Sequence, residues 1–150
     1  MSRFPITLVL PPAVSANVYW RTRVVKGVAM TYVSGEAKAF RTEVARAVLL
    51  AAGRPIPGRV RVEIWMYPHR PQDWAKRQKK LGAAWDDGVR VIDLDNAIKV
   101  TLDALKGLAF EDDVWVRQIS AQRMEPDDKP ARVVVRITSM APEVVQGGLL

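Results

Sequence analysis

The sequence predicts an α+β fold: a single domain with a mixed β-sheet, two main helices and a C-terminal β-hairpin. Four segments, 4–10, 60–66, 114–124 and 132–138, alternate apolar and polar residues at the period of a strand. Two others, 37–51 and 97–108, repeat apolar residues at helical spacing. Length completes the case: 150 residues, 49% of them hydrophobic and 26% charged, suit one soluble globular unit and leave little room for two.

Residues 4–10 read as a first strand, stopped by Pro11 and Pro12, which cannot donate ladder hydrogen bonds. Residues 13–20 read as a loop. Residues 24–33 are apolar and β-rich around Lys26-Gly27, which suits a small hairpin or an irregular extended excursion. Ser34 is the expected N-cap of an amphipathic helix with Ala37, Phe40, Val44, Ala47, Val48 and Ala51 inward, ended by Gly53 and Pro55. Its outer face mixes Lys38, Arg41 and Arg46 with Glu36 and Glu43 and reads as solvated.

Val60–Met66 is a half-buried strand. Residues 70–92 then form a basic loop insertion, with Arg70, Lys76, Arg77, Lys79, Lys80 and Arg90 set against Asp73, Asp86 and Asp87 and interleaved with Trp74 and Trp85. A short helix is expected over 74–81. The tryptophans suit stacking on an unpaired base or packing on the core. After an extended approach at 89–94, Asp95 would cap a second helix with Ala97, Ile98, Thr101, Leu102, Leu105 and Leu108 inward and Gly107 at its end. Segments 114–124 and 132–138, joined by the turn-rich Glu125–Pro130, would pair as an antiparallel hairpin. The domain is expected over 1–140, with a frayed tail at 141–150.

Composition removes whole classes of chemistry. With no cysteine there are no disulfides, thiolate metal sites or cysteine nucleophiles, and the single histidine, His69, rules out a multi-histidine metal site. A lone histidine is more often structural than functional, and His69 is read that way. The 23 Lys and Arg against 16 Asp and Glu leave a net charge of +7, which favours a polyanionic partner, nucleic acid first. No run approaches the ~18 apolar residues of a membrane-spanning helix. The apolar run at 6–10 is also too short for a secretory signal, so a cytoplasmic protein with no membrane partner is expected.

The acidic residues converge on one stretch: Asp93, Asp95 and Asn96, then Lys99 and Asp103, then Glu111, Asp112 and Asp113. On an extended approach Asp93 and Asp95 share a side, and on the helix Asp95, Lys99 and Asp103 form one polar stripe. If the return through Gly107 brings Asp112 and Asp113 beside them, several carboxylates lie within about 4–6 Å, each pair repelling by roughly 3–4 kcal/mol at an effective dielectric of ~20. A hard divalent ion such as Mg²⁺ would relieve that repulsion and serve phosphodiester hydrolysis. Lys99 would then stand beside the phosphate. The same residues equally suit a helix cap, i,i+4 surface pairs and a turn before a strand.

The string from Asp93 to Gly107, followed by Asp112-Asp113, resembles the signature of the RusA family of Holliday-junction resolvases, small endodeoxyribonucleases often carried by phages and prophages. Pro11-Pro12, Asn17, Tyr19-Trp20-Arg21 and Ser34 resemble that family's N-terminal half, although the loop between Pro12 and Tyr19 and the insertion at 70–92 are longer than its pattern. The resemblance implies Asp93, Asp95, Lys99 and Asp113 as catalytic residues, with the three aspartates holding Mg²⁺, or Mn²⁺ in its place. It further implies a RusA-like homodimer that makes paired symmetric nicks in four-way junction DNA, in recombination and repair.

The expected function is therefore Mg²⁺-dependent, structure-selective cleavage of DNA junctions. Asn96, Asp103 and Asp112 would support the metal ligands, and Arg21, Lys76, Arg77, Lys79 and Lys80 would contact DNA. Two alternatives stay open: a non-catalytic basic DNA-binding module, and a metal phosphohydrolase acting on small nucleotides.

Overall fold

The computed structural model describes residues 5–140, so the expected tail lies outside the described residues. Alternation makes the first strand, β1 (Ile6–Leu10): Ile6, Leu8 and Leu10 are buried, while Thr7 and Val9 face solvent. The segment expected to be a loop instead contains a one-turn helix, α1 (Ala16–Tyr19), which buries Tyr19. It feeds directly into a hairpin of β2 (Trp20–Val25) and β3 (Val28–Val33). Lys26 and Gly27, at φ 52° and 79°, form its two-residue turn, the left-handed geometry that suits the twist of paired strands.

Helix α2 (Gly35–Ala51) starts where expected: the Ser34 hydroxyl accepts from the Ala37 amide at 3.1 Å, and Ala37, Phe40, Val44 and Val48 are buried. Strand β4 (Val60–Tyr67) buries every second residue. Helix α3 (Trp74–Leu81) lies within the basic insertion, as the spacing predicts. Helix α4 (Leu94–Leu105) is followed by a 3-10 turn at Asp113–Trp115, by β5 (Val116–Arg123) and by β6 (Arg132–Ser139).

The main sheet has the order β1-β6-β4-β5, with β4 and β5 parallel and the other neighbours antiparallel. Its register builds apolar rows across three strands: Ile6–Ile137–Val62, Leu8–Val135–Ile64 and Leu10–Val133–Met66. Helices α2 and α4 close that face with Phe40, Val44, Val48, Val100, Ala104 and Leu105 in one continuous core. Each large aliphatic side chain buried there contributes ~1.5–3 kcal/mol, which makes this face the main source of stability.

The C-terminal hairpin is a correction. Both strands form and the chain reverses between them, but β4 lies between β5 and β6 and pairs with each. The turn formers at 125–130 specify a reversal, not adjacency, and the connecting loop spans two inter-strand gaps of ~4.8 Å. Side chains explain the sorting. β5 is largely exposed and suits an edge, whereas β4 presents an unbroken apolar face and suits the interior.

Helix α4 brings two more corrections. Asp93, not Asp95, occupies the N-cap position, with φ −64° and ψ 150°, so no extended run carries the Asp93/Asp95 pair. The buried stripe is Ala97, Val100, Thr101, Ala104 and Leu105, while Ile98 and Leu102 are only half-buried. Counting from large apolar residues overlooked Val100 and the small Ala104, which let the helix sit close to the sheet.

Candidate active site

Placing Asp93 at the N-cap sets the geometry of the acidic cluster. Asp93 makes no side-chain capping bond, and Asp95 lies in the first turn. Both are exposed, and neither makes an ion pair among the described residues. Negative charge there is favoured by the helix dipole, so the two carboxylates keep their oxygens open at little cost to the helix.

One and two turns further along α4, Lys99 and Asp103 continue the stripe. They line a hollow of about 340 Å³ with Trp20, Leu102 and Asp113. The Lys99 ammonium sits 5.2 Å from the Trp20 ring centre, a cation–π contact. Tyr19 packs its ring 4.4 Å from that of Trp20, and its hydroxyl donates to the Asp103 carboxylate. Burial first, and then the bond to Asp103, hold the Tyr19 phenol far above its ordinary pKa, so it remains a neutral donor. Asp103 is thereby tied to the scaffold.

Asp113 begins the 3-10 turn before β5, and its carboxylate lies 3.9 Å from the Lys106 ammonium. Asp112 caps that turn without a side-chain bond and is exposed. Asn96 is half-buried in the first turn of α4. Asp113 thus joins Lys99 and Asp103 in the hollow, whereas Asp93 and Asp95 stand at the start of the helix. Eight residues separate Asp95 from Asp103, about 12 Å along the axis.

Among the described residues no group of three or more Asp, Glu or His side chains is placed to hold a metal ion. The expected gathering of Asp93, Asp95 and Asp113 is therefore not formed within one chain. Its donor chemistry, hard carboxylate oxygen, still suits a divalent ion such as Mg²⁺.

The expected DNA contacts divide by location. Arg21 is exposed on β2, and Lys76, Lys79 and Lys80 are exposed on α3. Arg77 is half-buried and pairs with Asp73 at 2.8 Å. Trp85 is 2% exposed, packs against Trp74 and donates its indole N–H to Glu125, so it cannot stack on a base. Trp74 is half-buried beneath the Arg70 guanidinium, 4.3 Å from its ring centre. His69 is exposed.

Sequence reasoning missed Trp20 as a partner of Lys99, and Lys106 as the cation facing Asp113. Trp20 and Lys99 meet only through the fold, and no local pattern announces such a pair. The Tyr19-Trp20-Arg21 string was visible only as part of a resemblance.

A mixed sheet backed by helices, carboxylates and a lysine along one helix, and a net charge of +7 define a protein suited to acting on phosphodiesters. The family model for endodeoxyribonuclease RusA matches residues 10–138, most of the chain. The chain belongs to that family of endodeoxyribonucleases, which resolve Holliday junctions. A comparison with curated proteins gives no match. No described helix is long and apolar enough to cross a membrane.

Proposed function

We propose that this protein cuts four-way DNA junctions in a Mg²⁺-dependent reaction, with Asp93, Asp95 and Asp113 as metal ligands and Lys99 facing the scissile phosphate. The family match over residues 10–138 carries the reading. The unpartnered carboxylates of Asp93 and Asp95 support their part in it. When bound, the ion supplies a stronger nucleophile from water and polarises the phosphoryl oxygen.

In this reading Asp93 and Asp95 at the head of α4, together with Asp113, would hold the ion. Lys99, held against Trp20, adds positive charge where the phosphate becomes more negative. The tie from Tyr19 to Asp103 fixes the middle of the helix and keeps Lys99 in place. Two copies related by a twofold axis would match the symmetry of the junction and make paired nicks. DNA as substrate and the absence of a described membrane-spanning helix both suit work in the cytoplasm.

A fluorescently labelled four-way junction titrated with Mg²⁺ or Mn²⁺ tests the proposal. Asp95→Asn should lower cleavage by more than ~100-fold, because loss of even an outer-shell metal partner typically costs ~10–100-fold. Lys99→Ala should cost ~10²–10³-fold, by analogy with loss of one oxyanion donor. Junction binding should survive both changes. Binding without cleavage at any metal concentration would identify a non-catalytic module. Turnover of free nucleoside phosphates with no junction cleavage would identify a small-nucleotide phosphohydrolase.

A further inference from the structure

A second hollow, of about 300 Å³, opens between the end of β4, the start of β6 and residues 90–92. Tyr67, Val91 and Ile92 supply its apolar wall, and His69, Arg90 and Arg132 stand around it. No Asp or Glu lines it. The Arg132 guanidinium lies 3.9 Å from the centre of the Tyr67 ring. Two bonds to the Asp127 carboxylate, at 2.7 and 2.9 Å, and one to the Pro130 carbonyl hold it there. Asp127 is in turn drawn down to a pKa of about 2, chiefly by its bond from Arg132. Arg132 is therefore held flat, with three of its five N–H donors engaged by Asp127 and Pro130, whereas Arg90 and His69 are exposed and can meet an anion.

These features select a ligand class. A flat apolar slot with cations and no acid favours a planar heteroaromatic group that carries a negative charge. The volume is at the lower end of the ~300–1,000 Å³ of small-molecule sites, enough for one base and too little for a base pair. Position adds the decisive constraint. The wall at 90–92 is followed directly in the chain by Asp93 at the N-cap of α4, so the hollow adjoins the head of the helix that carries the proposed reaction centre.

We propose that this hollow receives a single unpaired nucleobase, swung out of the junction next to the phosphate to be cut, with Arg90 and His69 on its phosphate side. The proposal rests on the junction-cleaving reading. A branch point is where such a base comes free most cheaply, because extrusion costs least where pairing and stacking are already disturbed.

The test uses junctions carrying 2-aminopurine at each crossover position in turn, bound in Ca²⁺ to suppress cutting, together with the same junctions carrying an abasic site. One position should brighten on binding, and an abasic site there should weaken binding by ~5–150-fold, the usual range for one stacked base. Ala131→Leu, which fills the hollow, should abolish both effects, and Arg90→Ala at the exposed rim should reduce them if the filled variant fails to fold. A wild-type protein that cuts junctions yet shows no brightened position and no abasic penalty overturns the base pocket alone. A wild-type protein that neither cuts nor binds junctions overturns the reading on which it rests.

Discussion

The hairpin at 20–33 and the insertion at 70–90 each carry a net charge of +3, yet they spend their aromatic and apolar side chains in opposite ways. The hairpin has three cations, Arg21, Arg23 and Lys26, and no acid, and it leaves Val24, Val28, Met30 and Tyr32 between 43% and 71% exposed. Strand pairing puts Arg21, Arg23, Met30 and Tyr32 on one face, with the Arg23 guanidinium 5.3 Å from the Tyr32 ring centre. The insertion turns inward. Trp85 is buried, Trp74 leans on it with ring centres 6.5 Å apart, and Arg123 on β5 donates to the Asp86 and Val89 carbonyls.

Equal charge therefore does not mean equal role. A two-stranded hairpin is at best marginal by itself, and this one is fastened mainly at its root, where the Ser34 amide donates to the Tyr19 carbonyl at 2.9 Å. Its exposed face is suited to meeting a polyanion. The insertion is a braced platform: Lys76, Lys79 and Lys80 sit on an exposed short helix, Trp85 is fastened to the loop at Glu125, and Arg123 ties the platform to β5.

The largest expected effect breaks the platform. Trp85→Ala should cost ~3–5 kcal/mol in chemical denaturation, the range for removing a large buried aromatic. Unchanged stability with weakened DNA binding would make the insertion an arm like the hairpin. Next in size is the salt dependence of junction binding. Replacing Arg21, Arg23 and Lys26 with Ala should flatten the slope of log K against log salt by about 2.7, at ~0.9 for each lost phosphate contact. The matching change of Lys76, Lys79 and Lys80 measures how much of the platform touches DNA, and a slope unaltered there but flattened for the hairpin would make the contrast sharpest.

The smallest effect lies in the loop beneath the platform, where Glu125 holds Trp85 and Asp127 holds Arg132. The Asp127 carboxyl is lowered from 3.8 to about 2 in the folded chain, first by its bond from Arg132. A depressed acid stabilises the fold above its unfolded pKa, so this contribution is complete above pH ~4 and fades as pH falls toward about 2. Urea midpoints of wild type and Asp127→Asn should accordingly differ at neutral pH and converge in acid. A gap independent of pH would show that the pair does not couple folding to protonation.

What could be read in advance follows the range of the forces involved. Helix α2, strand β4, the hairpin turn and helix α3 are written in local spacing, caps and turn residues, and all appear where that spacing puts them. The neighbours of β5 and β6 are not local: Val62 and Ile137 meet because β4 fits between two strands of different polarity. The shift of the α4 face has a similar origin, since Ala104 is buried by close packing that no hydrophobicity count ranks highly. At the site, residue types and stripe were legible from Asp95 to Asp103. The contact of Lys99 with Trp20, and the separation of Asp113 from Asp93, depend on three-dimensional packing.

The placement of β6 bears on how the molecule is made. Of the described strands the last in sequence is an interior one, and β1, the earliest of them, has β6 as its sheet neighbour. As the protein emerges from a ribosome, the opening strand must wait until residues 132–139 have cleared the exit before its edge is satisfied. The domain therefore closes in one late, long-range step, a topology that favours slow folding and exposes unpaired backbone on the way.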